Sequence, residues 1–95
     1  MKTLNFPLFL VMSRDGQLTL PLTIVPGYIA TFTSGQKAAT FMFIRGDTNW
    51  QMTMIARSNF EVDVEALRKL GLKGLCLDPT KGSHDTLINF DEIEI

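Results

Sequence analysis

One polar loop, residues 78–85, holds the side chains best suited to binding a small ligand or an anion: Asp78, Thr80, Lys81, Ser83 and His84. The lysine supplies positive charge, and consecutive backbone amides in a turn form a concave site for an anion. The loop departs from the phosphate-binding pattern GxxxxGK followed by Ser or Thr, because its order is Lys-Gly-Ser and no predicted helix follows it. We therefore predict a ligand or anion loop and no nucleotide-binding P-loop.

The candidates for catalysis are His84 and Cys76. Asp85 follows His84 directly and would orient an imidazole base, but the spacing offers no nucleophile beside the pair. Cys76 stands between Leu75 and Leu77, which favours a small buried hydrophobic side chain over a reactive thiolate. The sequence predicts no catalytic residues, and we do not expect an enzyme.

Carboxylates near the C-terminus are the candidate metal ligands. Asp91, Glu92 and Glu94, together with Asp85, carry the oxygen ligands that Ca²⁺ and Mg²⁺ prefer. In a strand, however, Glu92 and Glu94 share one face and Asp91 takes the other. A charged edge that discourages strand addition is the better interpretation. We predict neither a metal site nor a bound cofactor.

The length and the apolar content of the chain bear on its assembly. A chain of 95 residues suits one domain, residues 1–95, built on a single core. Its hydrophobic fraction is 45%, which is high for so small a core. Apolar side chains left on a surface favour interfaces, so we expect a homodimer or a contact with another protein.

Charge and cysteine content bear on partners and location. The formal charge of -1 supplies no field that attracts nucleic acid or an anionic membrane. The apolar start, residues 1–12, is too short to span a bilayer. It is poorly built as a signal peptide, because Asn5 and Pro7 interrupt it and no small-residue cleavage site follows. The single cysteine excludes an internal disulfide and fits a reducing compartment. We expect a cytoplasmic protein that binds neither nucleic acid nor a membrane.

Hydrophobic periodicity predicts strands in the first third of the chain. The apolar run Leu8–Met12 ends in an Asp-Gly turn, and residues 18–24 alternate apolar with polar side chains, so the two form a hairpin with a half-buried second strand. Pro21 lacks the N–H for a ladder bond, which predicts an edge or a bulge there. Pro26 and Gly27 fit the centre of a type II turn, and a short strand follows.

A first helix is predicted over residues 36–44, ending at Arg45-Gly46-Asp47. Thr33 is the expected N-cap, with Ser34 as the alternative. Its predicted core-facing residues are Ala39, Phe43 and either Ala38 or Met42.

Residues 63–71 form the clearest helix, with an acidic first turn, a basic last turn and Gly71 as its stop. Residues 50–57 show the two-residue periodicity of a strand, although the same residues also suit a helix. The remaining predicted elements are a buried strand ended by Pro79, a strand at 86–90, and an edge strand or ordered tail at 91–95. Together these elements predict an α+β fold, a mixed or antiparallel sheet of about five to six strands with two helices packed on it.

Three short motifs resemble those of the SseB family of bacterial proteins. They are Ala30-Thr31-Phe32-Thr33-Ser34 at the start of the first helix, Leu67-Arg68-Lys69-Leu70-Gly71, and Gly74-Leu75-Cys76-Leu77-Asp78-Pro79 at the end of a strand. The resemblance covers residues 28–90. It departs from the family at Asp78, where members usually carry Asn, and in lacking the second domain of longer members. No catalytic residues are attached to the family, so the resemblance implies no active site.

These observations predict a non-catalytic protein-interaction or regulatory module of unknown specific role. In that hypothesis an exposed apolar face or a strand edge contacts the partner. The alternative is a small-ligand or anion-binding domain that uses residues 78–85, and it requires a concave pocket at that loop.

Overall fold

A computed structural model describes residues 2–16, 18–80, 82 and 86–94 of the chain. The helices are α1 (Gly35–Arg45) and α2 (Phe60–Lys69), and short 3₁₀ turns lie at Arg57–Asn59 and Phe90–Glu92. The strands are β1 (Lys2–Thr3), β2 (Leu8–Asp15), β3 (Leu18–Pro21), β4 (Thr23–Val25), β5 (Tyr28–Phe32), β6 (Trp50–Ile55), β7 (Gly74–Leu77), β8 (Leu87–Asn89) and β9 (Ile93–Glu94).

One mixed sheet of seven strands, counted over the described residues, dominates the fold. Strand β2 lies inside it, with β6 antiparallel on one side and β3 and β5 antiparallel on the other. Strand β7 runs parallel to β5, β8 is antiparallel to β7, and β4 pairs with the start of β5. Strands β1 and β9 form a separate parallel pair. The predicted α+β class is confirmed, with slightly more strands in the sheet than expected.

The sheet is a middle layer, because alternate side chains of its strands point to opposite faces and each face carries one helix. The cluster on the α2 face contains the buried residues Leu4, Leu8, Leu10, Ile29, Ile55, Phe60, Val64, Leu67, Leu75, Ile88, Phe90 and Ile93. The cluster on the α1 face is smaller and contains the buried residues Val11, Ala30, Phe32, Ala38, Phe41 and Met42. The second cluster therefore depends on few side chains.

The predicted hairpin of β2 and β3 is confirmed, with Asp15 paired to Leu18. Pro21 lies in the edge strand β3 opposite Met12, with its nitrogen facing away from β2, so the predicted edge position is confirmed. The predicted half-burial of this segment is wrong for its first part. Leu18 and Leu20 are 64% and 47% exposed, because β3 extends past both core clusters.

Helix α1 corrects two details of the prediction. Its N-cap is Ser34, whose hydroxyl accepts a hydrogen bond from the Lys37 N–H at 3.2 Å, and not Thr33. Its buried residues are Ala38, Phe41 and Met42. Phe43, which the helical spacing placed in the core, is 85% exposed. Helix α1 has apolar residues on more than one side, so only its contact with the sheet selects the inward face.

The remaining elements agree with the sequence in type and differ in their bounds. Helix α2 begins at Phe60 rather than at residue 63, because Phe60 is itself a core residue, 3% exposed. Residues 50–55 form a strand, which resolves the choice between strand and helix. Ile93 in β9 is buried, as the ordered-tail interpretation requires. Within the described part of the chain, no helix has both the length and the apolar character needed to cross a membrane.

Candidate functional site

The carboxyl ends of β5 and β7 lie side by side at the same end of the sheet's strands. The two strands are parallel, and Thr31 near the end of β5 is the register partner of Leu77 at the end of β7. The chain leaves β5 directly into α1 and leaves β7 into residues 78–80. In open sheets ligands bind beyond the carboxyl ends of the strands, because the connections diverge there and leave a crevice. This arrangement brings the N-terminal turn of α1 to the predicted loop.

Asp78 joins the two connections. Its carboxylate accepts hydrogen bonds from the backbone N–H and the hydroxyl of Thr33, both at 2.9 Å. Its own N–H donates to the carbonyl of Thr31 at 2.7 Å. Its φ of +45° lies in the left-handed region, which Asp tolerates better than most residues because its short side chain bonds locally. Asp78 therefore positions the start of α1, which accounts for its conformation without a ligand.

Lys37 brings a positive charge to the same place. Its ammonium lies 3.4 Å from the Asp78 carboxylate and 3.1 Å from the Thr33 hydroxyl, with the side chain 58% exposed. Exposed ion pairs of this kind contribute only about 0–1 kcal/mol. The ammonium is consequently held loosely and can turn towards an anion that enters the crevice.

The crevice itself is a cleft of about 470 Å³ between α1 and residues 78–80. Its apolar lining is Phe32, Phe41, Ile44 and Pro79, and its polar lining is Ser34, Gln36, Lys37, Thr40, Asp78 and Thr80. A volume in this range, with an apolar wall and a few polar groups, is typical of small-molecule sites. The described lining offers hydroxyls, an amide, an ammonium and a carboxylate, but neither imidazole nor thiol. The described lining can contribute hydrogen bonds and charge, and it includes no paired nucleophile and base.

The predicted ligand loop is only partly covered by the structure. Asp78 and Thr80 both line the cleft, whereas Lys81, Ser83 and His84 lie outside the described residues. Sequence reasoning missed Lys37 and the wall made by Phe41 and Ile44. Their spacing of four and seven residues, which marks one side of a helix, was the available signal.

The other chemical candidates have structural explanations. Cys76 is fully buried in β7, which confirms the interpretation of its side chain as a core group. Among the described residues, no group of three or more His, Cys, Asp or Glu side chains is placed to hold a metal ion. Asp91 pairs with Arg68 at 2.7 Å, and Asp85 lies outside the described residues.

A second surface is apolar and lies on the other flank of α1. A Cβ added at Gly35 would lie 3.4 Å from the Met52 sulfur, so the first turn of α1 faces β6. Phe43 lies eight residues further along α1, towards the other end of the helix. Met52 and Met54 of β6 are 37% and 63% exposed, and Phe43 is 85% exposed. We call Phe43, Met52, Met54 and the outer edge of β6 the β6 surface.

The role assigned to Asp78 predicts a loss of stability that depends on its carboxylate. Asp78→Ala removes both acceptors of Thr33 and leaves alanine in the left-handed region, so we expect a loss of about 1–3 kcal/mol in the free energy of unfolding. Asp78→Asn keeps one carbonyl acceptor and tolerates the conformation, so its loss is smaller. Urea unfolding followed by circular dichroism measures both.

Asp91→Ala is the matched control for that experiment. It removes an acidic partner of similar geometry at a side chain that is 85% exposed, and such substitutions change stability by at most about 0.5 kcal/mol. Equal unfolding midpoints for Asp78→Ala and Asp91→Ala would contradict the positioning role of Asp78.

Comparison of the chain with protein-family models, with curated proteins and with solved structures finds no match.

Proposed function

We propose that this chain is a non-catalytic protein-interaction module and that the β6 surface is its contact site. The observation that carries the proposal is the exposure of Met52 and Met54, 37% and 63%, on an edge strand, while Phe43 of α1 is 85% exposed. Exposed apolar side chains at a free strand edge are typical of surfaces that bind protein.

The edge itself supports this proposal. Natural proteins protect exposed edges with charged side chains, proline, bulges or very short strands. Strand β6 has six residues, Trp-Gln-Met-Thr-Met-Ile, with no charge and no proline. Its pairing with β2 runs over all six residues without a shift of register. An edge that carries none of the usual protection is suited to strand addition.

The test compares what the immobilised protein captures with what its surface variants capture. Phe43→Ser and Met54→Lys remove the apolar patch at exposed positions, so each is expected to change stability by at most about 0.5 kcal/mol and to lose captured protein. Leu18→Lys is the matched control, because Leu18 is as exposed as Met54, 64% against 63%, but lies in the β2–β3 hairpin. The same captured proteins on all three variants would rule out the β6 surface as the contact site.

The cleft of about 470 Å³ favours a second candidate function, a small-ligand or anion-binding domain that uses residues 78–85. The lining suits a ligand with an apolar body that reaches Phe41 and Ile44 and an anionic group that reaches Lys37. The cleft and Met52 of β6 lie on opposite flanks of α1. A ligand of this type would leave capture at the β6 surface unchanged.

We also propose an SseB-like family relationship and a cytoplasmic location. Two features support the relationship: Thr33-Ser34 opens a helix, and Gly74–Leu77 is a strand followed by Asp78-Pro79. Asp78 hydrogen-bonds Thr33, so the two motifs contact each other. A single buried cysteine supports a reducing compartment.

A further inference from the structure

The outer edge of β6 is defined by hydrogen bonds on its inner side. The N–H of Arg14 donates to the carbonyl of Asn49 at 3.0 Å, and the β2–β6 register continues from there as Ser13 opposite Trp50. In an antiparallel pair, hydrogen-bonded residues alternate with residues whose N–H and C=O point away. Asn49 is therefore the first residue bonded to β2, and the odd-numbered residues of β6 follow it.

The opposite side of β2 agrees with this assignment. There the carbonyl of Val11 accepts from the N–H of Leu22 at 3.0 Å. Odd-numbered residues of β2 thus bond towards β3, and even-numbered ones bond towards β6. The N–H and C=O groups of Trp50, Met52 and Met54 consequently point outward, and no strand of the described residues pairs with them.

We propose that a second copy of this chain occupies that edge, with the two β6 strands antiparallel and Met52 opposite Met52 of the partner subunit. The inference rests on the proposed function, since it names the partner at the β6 surface. In this register Trp50 lies opposite the partner's Met54. Every outward N–H and C=O of these residues then meets its complement, and a shift in either direction leaves some of them unpaired.

The side chains agree with the same register. Residues opposite each other in an antiparallel pair lie on the same face. On the α1 face the dimer places methionine opposite methionine and Trp50 opposite methionine. On the other face it places Gln51 opposite the partner's Thr53. The two-fold axis brings no like charges together, because β6 contains no charged residue.

A second copy is favoured over a foreign strand by this self-complementarity. One short sequence satisfies its own outward backbone groups while pairing apolar with apolar and polar with polar side chains. A domain of this size also buries a smaller fraction of its surface than a large one, so covering the exposed methionines of β6 in a dimer adds apolar burial that the single chain lacks.

Disulfide trapping tests the register. In the proposed dimer the two Met52 Cα atoms are about 5.5 Å apart, within the range a disulfide spans. The two Met54 Cα atoms are about 14 Å apart, because four residues separate them along the pair. Met52→Cys is therefore expected to form at least about tenfold more covalent dimer than Met54→Cys under mild oxidation. The native Cys76 is buried and provides the wild-type baseline.

Met54→Cys is a demanding control, because position 54 is the more exposed of the two, 63% against 37%. Random collisions would link it more readily than Met52→Cys. Preferential trapping of Met54→Cys, or equal trapping, overturns the register. Sedimentation equilibrium of the wild-type protein gives the second readout, with a dimer expected.

A wild-type protein that stays monomeric across the accessible concentration range overturns the proposed dimer. The capture experiment tests the proposed function independently of the dimer. If Phe43→Ser and Met54→Lys still lose a captured protein, the β6 surface binds a different partner. If they lose nothing and the wild type is monomeric, both proposals fail.

Discussion

Gly74→Ala is expected to prevent folding or to lower the free energy of unfolding by about 3 kcal/mol or more. A Cβ at Gly74 would overlap the carbonyl oxygen of Ile88 and lie 2.8 Å from the Asn89 Cα. These are backbone atoms of β8, the register partner of β7, and they cannot rotate away as a side chain can. The two strands would have to separate, and Leu75 and Ile88 on either side would lose their packing in the larger core cluster.

Gly82→Ala is the matched control. An added Cβ at Gly82 meets no atom of the described residues within 4 Å, so this variant carries the same chemical change without the collision seen at Gly74. Thermal unfolding followed by circular dichroism compares the two with the wild type. A Gly74→Ala protein with the unfolding temperature of Gly82→Ala would show that β7 and β8 do not approach as closely as described.

Phe32→Ala is expected to cost about 3–5 kcal/mol of unfolding free energy, the usual loss for a buried phenylalanine. Phe32 is 1% exposed and packs its ring 5.4 Å from that of Phe41. The cluster around it contains few buried residues, so the neighbours can collapse only partly into the space left behind. For a domain of this size the loss corresponds to a fall in unfolding temperature of about 15 °C or more.

Phe32→Leu separates the loss of volume from the loss of an apolar group. It keeps most of the side chain, so its cost is expected to stay below about 2 kcal/mol. Because Phe32 also lines the cleft between α1 and residues 78–80, the alanine variant enlarges that cleft. Equal stabilities of Phe32→Ala and wild type would mean that α1 does not pack on this face of the sheet.

Local sequence signals predicted the elements whose cause is itself local. Gly27 has a φ of +88°, the conformation that the third position of a type II turn requires and that glycine adopts without strain. Gly46 caps α1 with a φ of +81° for the same reason. Pro21 lies in the edge strand β3, where its nitrogen faces away from β2 and no ladder bond is lost. Such effects depend on one or two residues and on nothing distant.

The inward side of α1 was predicted only in part, because the helix is apolar on two sides: Ala38 and Met42 are buried, whereas Ala39 and Phe43 are exposed. Ala39 and Phe43 match a core-facing period as well as Ala38 and Met42 do. The sheet accepts the side with Phe41, whose ring meets Phe32 of β5. This choice leaves Phe43 exposed.

The candidate cleft was predicted only on one of its two sides. Asp78 and Thr80 stand out in the sequence because they lie in a polar loop after a buried strand. Lys37, Phe41 and Ile44 lie some forty residues earlier, and their proximity to the loop follows from the parallel pairing of β5 with β7. That pairing joins segments far apart in the chain, and no local pattern reports it.

The same contrast between local sequence and tertiary structure applies to the polar loop at residues 78–85. By itself the sequence determined the residue types of that loop, the turns around it, the α+β class and the absence of a recognisable catalytic motif, because these depend on composition and short-range periodicity. The tertiary structure alone decided that Asp78 bonds Thr33 and serves the start of α1, and that a cleft lies beside it. It also decided that β6 is an edge strand. Strand order depends on contacts between residues that are distant in sequence, and no single segment contains both partners of such a contact.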